Sequence, residues 1–260
     1  MIEFTSAQML SLFSAYFWPL VRILALFSTA PFFGHRNIPI RIKVALGVAI
    51  TFLIAPTLAP IPDIDPLSWA GLLILSQQML IGIAMGFVMR LIISGVELSG
   101  ELMGMTMGFG FATFYNPQSG GQSSAINQLL SLLTLLIFLA TDMHLLLIQC
   151  LVESFSSLPI GISALGKNNF QQLAFMGKNI FYISVQLSMP IVAALLMINM
   201  SLGVLTKAAP QLNLFGIGFP ITILGGFLMV YLLMPYWAMP LAEHLQHGIS
   251  MLRELMSLGI

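Results

Sequence analysis

Residues 69–94, WAGLLILSQQMLIGIAMGFVMRLIIS, carry a single charge, Arg90, in a run longer than the roughly 20 apolar residues that a helix needs to cross a bilayer. Five further apolar stretches, at about 9–31, 44–60, 127–151, 179–206 and 214–240, have the same character. Lipid offers no hydrogen bonds, so such a chain has to satisfy its backbone inside helices. The expected fold class is all-α, an integral membrane protein of helical hairpins.

Composition agrees with this, at 58% hydrophobic and 7% charged residues, against about a quarter charged in soluble domains. Nine basic and nine acidic residues cancel, which leaves no field to attract nucleic acid. Cys150 is the only cysteine; that excludes an intrachain disulfide or a thiolate metal cluster, and it reads as a small core residue. The first basic residue, Arg22, already lies inside the first apolar run, so the basic flank of a secretory signal peptide is missing and the N-terminus is expected to be retained.

The second segment is bounded by Pro56, Pro60, Pro62 and Pro66 and is short for a full crossing. The third is expected to continue as helix to about residue 108. The stretch from Ser154 to Gln172 is rich in Ser, Gly and Asn and reads as a connector, and residues 241–257 read as a separate amphipathic end helix. No repeat stands out, so residues 1–260 are expected to form one helical membrane domain. His35, Arg36, Arg41 and Lys43 crowd the first loop while Asp63 and Asp65 occupy the second, which puts the first loop in the cytoplasm by the positive-inside rule. Any segment that fails to span reverses everything after it.

Ionisable residues at membrane depth cost several kcal/mol unless paired or facing water, which makes Arg22 and Asp142, with His144 beside it, functional candidates. The structural alternative for Arg22 is neutralisation by a carboxylate on a neighbouring helix or subunit. Arg90, Ser94, Glu97 and Glu101 follow at spacings of 4, 3 and 4 and share one helix face. Gly100, Gly104 and Gly108 are also four apart, as are Gly82 and Gly86, a pattern that lets a second backbone approach closely in lipid.

Residues 104–124, GMTMGFGFATFYNPQSGGQSS, carry no charge and join Met and Phe residues to Asn116-Pro117 and Gly120-Gly121, which break helix. Non-helical chain at membrane depth must be buried in protein or line a cavity. One reading is a pore plug, apolar enough to exclude water and uncharged enough to let other chains slide past. The other is an interfacial loop packed on its own helices. Motifs for catalysis, a cofactor or a metal are not apparent: "EHLQH", with Glu243, His244 and His247, lacks the HExxH order of a zinc helix.

Three blocks, "RILALFSTAPFFGHRNIPIRIKVALGVAI", "GELMGMTMGFGFATFYNPQSGGQSSAINQLL" and "LSMPIVAALLMINMSLGVLTKAAPQLNLFGIGFPI", together resemble the FliR family of flagellar biosynthesis proteins, which includes the corresponding component of virulence type III secretion systems. "AAPQLNLFGIGFP" tilts the resemblance toward the flagellar branch. The resemblance implies a non-enzymatic subunit of a type III export gate in the bacterial inner membrane, at the flagellar basal body. Its fold would be similar to a fused FliP-like and FliQ-like pair, completing a helical hetero-oligomer with several copies of each around a channel. FlhB and FlhA would be further partners and unfolded flagellar proteins the transported substrates. By the same resemblance Gly108, Phe109, Gly110, Phe111, Phe114, Tyr115, Asn116 and Pro117 would form the pore-facing closure, with partner Met residues as a gasket nearby. The competing function class is a secondary transporter with broken helices, using Arg22, Arg90, Glu97, Glu101 and Asp142 as coupling groups. An interaction-only scaffold is a third.

Overall fold

The computed structural model describes residues 6–34, 38–58, 64–66, 68–109, 124–161, 167–209, 216 and 218–257. Among these residues the secondary structure is helical, with no strand. The helices are α1 (Ser6–Thr29), α2 (Ile40–Ile54, closed by a 3-10 turn Ala55–Thr57), α3 (Trp69–Met107), α4 (Ala125–Ala140), α5 (Met143–Ser157), α6 (Lys167–Met176), α7 (Lys178–Ala208) and α8 (Phe219–Ser257). Five helices among the described residues are long and apolar enough to cross a membrane, or six if α4 and α5 count as one broken span. The protein is an integral membrane protein.

Several boundaries differ from the sequence reading for definable reasons. The apolar run 127–151 is two helices, because Thr141 and Asp142 interrupt it and Asp142 takes a left-handed conformation, φ 55°. Asp is among the few non-glycine residues that tolerate this region. The connector expected to reach Gln172 includes the start of α6, whose Asn169 is buried and donates from Nδ2 to the carbonyl of Leu255 at 3.1 Å. Residues 219–257 form one helix running through Pro235 and Pro240, where an end helix was expected to begin at 241. A proline in a membrane helix removes one donor and leaves one carbonyl free, which neighbouring groups can satisfy without ending the helix. At 39 residues each, α3 and α8 are about 58 Å long at 1.5 Å per residue.

The chain divides into two compact units. The first comprises residues 1–91, 142–177 and 246–260, the second residues 92–141 and 178–245. In the first unit, Trp18, Ile23, Leu26 and Phe27 of α1 are fully buried together with Ile74, Ile81, Met85, Val88 and Met89 of α3 and Leu147, Cys150 and Leu151 of α5. The close approach of α1 to α3 depends on Gly82 and Gly86. A Cβ at Gly82 would meet the Arg22 carbonyl oxygen and the Ala25 Cβ, and one at Gly86 would meet Thr29 Oγ1 and the backbone nitrogen of Ala30. Small residues at an interval of four make this contact possible, as expected for helices that associate by packing rather than by the hydrophobic effect.

Arg22 has a relative exposure of 0% and is held without a carboxylate. Its Nε donates to Gln78 Oε1 at 2.7 Å, Nη1 to the Ser154 carbonyl at 2.8 Å and Ser154 Oγ at 3.1 Å, and Nη2 to the Leu158 carbonyl at 2.8 Å. The guanidinium carbon also lies 4.2 Å from the centroid of the Phe155 ring. The acidic partner expected from the sequence is replaced by the C-terminal end of α5. The Leu158 carbonyl lies just past the last helical residue, the Ser154 carbonyl accepts from Nη1 in addition to the Leu158 N–H at 2.9 Å, and that end carries the negative pole of the helix dipole, so a buried cation there gains both hydrogen bonds and charge compensation. The planar fork of Arg engages acceptors on three residues at once, Gln78 of α3 and Ser154 and Leu158 at the end of α5, which a Lys ammonium does not do.

Candidate functional site

The second unit contains both ends of the uncharged segment. α3 reaches it through its Gly100–Gly104–Gly108 face. At the helix end the Gly108 N–H donates to the Met105 carbonyl at 3.1 Å and the Phe109 N–H to the Gly104 carbonyl at 3.0 Å. Gly108 has φ +95°. This pair of bonds, with a left-handed glycine just past the last helical residue, is the Schellman closure of a helix C-terminus. A Cβ at Gly108 would stand 2.9 Å from a ring carbon of Phe219, so both the backbone and the space require glycine.

Phe109 turns back onto α8, its ring 6.1 Å from that of Phe227 at 75°. Gly226 leaves room for the Met107 side chain, and Thr222 Oγ1 donates to the Met107 carbonyl at 3.4 Å. The outgoing end of the segment is therefore fixed to α8 by one hydrogen bond, one aromatic edge contact and a glycine recess.

The returning end is fixed to α3. Ser124 is the N-cap of α4, its Oγ accepting from the Asn127 N–H at 3.2 Å and donating to the Gly100 carbonyl at 3.2 Å. Glu101 Oε1 accepts from the Ser124 N–H at 3.1 Å and from Asn127 Nδ2 at 2.8 Å. Asn127 Oδ1 in turn accepts from Ser131 Oγ at 3.2 Å. Beneath these bonds Gly100 abuts the Asn127 backbone, where a Cβ would come within 2.5 Å of Asn127 Cα, and Gly104 abuts the Ser124 side chain, where a Cβ would stand 2.8 Å from Ser124 Cβ. Phe109 and Ser124, the described residues on either side of 110–123, thus both bond to the last two turns of α3.

Of the residues expected at the closure, Gly108 and Phe109 are half-buried at the outgoing end, and Gly110, Phe111, Phe114, Tyr115, Asn116 and Pro117 lie outside the described residues. Gly100 and Gly104 are buried at the α3–α4 contact. Of the five ionisable residues expected to be buried, only Arg22 is so within this chain: Glu97 and Glu101 are half-buried, and Arg90 and Asp142 are exposed. Asp142 is exposed because the chain turns there instead of continuing through a helix. Ser124, Asn127, Thr222 and Gly226 are the anchoring residues that sequence reasoning missed. A Ser directly ahead of an apolar run is a helix-start signal that would have identified Ser124 as an N-cap, whereas Asn127 does not complete a capping box, which takes Glu or Gln at that position.

Residues 13–248 match the family described as bacterial export proteins, family 1. The chain is similar to the flagellar biosynthetic protein FliR of Escherichia coli K12, at 44% identity over 245 residues covering 94% of this chain and 93% of that one. The FliR of Pectobacterium carotovorum is also 44% identical, over 94% and 93% of the two chains. That of Bacillus subtilis is 28% identical over 254 residues, 96% of this chain and 98% of its own.

Proposed function

The chain belongs to family 1 of the bacterial export proteins, and on that premise we propose that it is a structural and gating subunit of a protein-conducting channel, with residues 108–124 as the plug. As a flagellar export apparatus subunit it is a component of a membrane export complex. It completes a channel with FliP-like and FliQ-like subunits in the bacterial inner membrane at the flagellar basal body, adjoins FlhB-like and FlhA-like subunits, and passes unfolded flagellar proteins. It does no chemistry of its own, and energy is supplied elsewhere.

The observation that carries this reading is the anchoring of a charge-free segment at both ends, by the Schellman closure at Gly108 and by Glu101 at Ser124. A plug needs a fixed base and a tip without charges that would trap a passing chain, and those are the properties combined here. Deleting residues 109–115 and measuring small-ion leakage through the membrane-embedded complex tests it. Leakage is expected to rise; leakage equal to that of the intact complex would remove the plug role.

A further inference from the structure

We propose that Glu101 is the latch that fixes the register of α4 on α3, and thereby the distance between the two ends of the segment they flank; its effect on conduction rests on the plug reading above. The glycine face of α3 explains why a latch is required. Gly100 and Gly104 let α4 come within van der Waals contact of the α3 backbone. A surface of glycines, however, has no ridges to hold a neighbour in register, so it gives proximity without a lateral lock. The neutral bond from Ser124 Oγ to the Gly100 carbonyl is one restraint. The other two polar contacts described across this junction converge on one oxygen, Glu101 Oε1, from the Ser124 N–H and from Asn127 Nδ2.

The electrostatics favour Glu101 in this role. The first turn of α4 contains no acidic residue, so its unpaired N–H groups and the positive pole of its dipole have no carboxylate from their own helix. Glu101 supplies that charge from α3, and hydrogen bonds to an ionised acceptor are about twice as strong as neutral ones. Because it reaches the start of α4 through two donors three residues apart, within one turn, sliding α4 along α3 breaks both bonds together. Glu101 is in this sense a positioning residue: it touches no substrate, and it acts through the placement of Ser124 and Asn127.

The test uses the assembled export complex containing this chain, with nitroxide labels on cysteines introduced at Met105 and Leu132, both more than 60% exposed and lying on α3 and α4. The unaltered complex is expected to give one narrow distance distribution. Glu101→Ala is expected to lose the narrow peak, and Glu101→Gln to give an intermediate width, since its amide oxygen still accepts but carries no charge. Asn127→Ala, which keeps the carboxylate and removes one donor, is expected to broaden the distribution less than Glu101→Ala and serves where that variant fails to assemble. Distributions unchanged in both Glu101→Gln and Asn127→Ala would overturn the latch. Ion leakage recorded on the same samples separates the two readings: broadened distances with raised leakage support both, whereas broadened distances with unchanged leakage support the latch and remove the plug.

Discussion

The Nη2 of Arg22 donates to the carbonyl of Leu158 at 2.8 Å, between residues 136 apart in sequence, so that a guanidinium from α1 terminates α5. Gln78, which accepts from the same side chain, has its own amide nitrogen buried with no hydrogen-bond partner among the described residues.

Arg22→Met removes the donors to Ser154, Leu158 and Gln78 while approximately keeping volume. Leaving buried acceptors unpaired costs about 1–3 kcal/mol per group, and the expected loss is about 2–4 kcal/mol, read as a lower unfolding temperature of the detergent-solubilised complex. Arg22→Lys is expected to recover less than half of it, because a single ammonium cannot span the three acceptors.

Gly100→Ala is expected to weaken the α3–α4 contact, since the added methyl would come within 2.5 Å of Asn127 Cα, a backbone atom that cannot rotate away. Overpacking of this kind costs about 1–3 kcal/mol. Gly203→Ala is the control: nothing lies within 4 Å of the methyl it would add, and its unfolding temperature should match the parent or exceed it slightly.

Gly108→Ala combines two penalties, a left-handed backbone and a methyl 2.9 Å from the Phe219 ring. The backbone part alone is about 1–2 kcal/mol. The expected result is a frayed end of α3, seen as faster amide exchange at Gly108 and Phe109, whose N–H groups make the closing bonds.

Glu153→Gln should have little effect. Its partner Arg253 lies at 3.3 Å, but the two side chains are 40% and 49% exposed, where solvent and salt screen the pair and leave less than about 1 kcal/mol. An unchanged unfolding temperature checks this, and a loss comparable to that of Arg22→Met would contradict it.

Cys150 is fully buried, so maleimide labelling of the folded complex should be slow and should become fast and stoichiometric on unfolding. The ratio of the two rates reports how often the first unit opens.

The features legible in the sequence are those fixed by local spacing. The glycines at intervals of four announced close helix contacts, and at Gly82, Gly86, Gly100 and Gly104 backbone or side chains do press against the missing Cβ. Glu101 stood out as a charge needing a partner, but its partners lie 23 and 26 residues away across the uncharged segment, and no periodicity links them. Arg22 was equally visible, whereas its partners were not. A carboxylate can be sought in a sequence, but the backbone carbonyls of a helix end cannot, because every residue has one. Asp142 was noticed as a charge in an apolar run and read as helix, since single-residue left-handed turns leave no trace in hydropathy. The change from an apolar to an amphipathic pattern at 241 misled in the opposite direction, since one helix carries both patterns through Pro240.

The length of α8 bears on which part of it a bilayer can accept. Its 39 residues exceed a hydrocarbon slab of ~30 Å by about 28 Å. Only 17% of its most apolar stretch is buried by the rest of the chain, and Leu224, Phe227, Leu228, Tyr231, Tyr236 and Met239 face outward. Those residues span about 22 Å, which acyl tails can cover, whereas beyond Pro240 the apolar residues Leu241, Leu245, Leu252 and Leu255 are buried. The helix thus divides near Pro240 into a half matched to hydrocarbon and a half whose Glu243, His247, Arg253 and Glu254 are exposed and call for a polar environment.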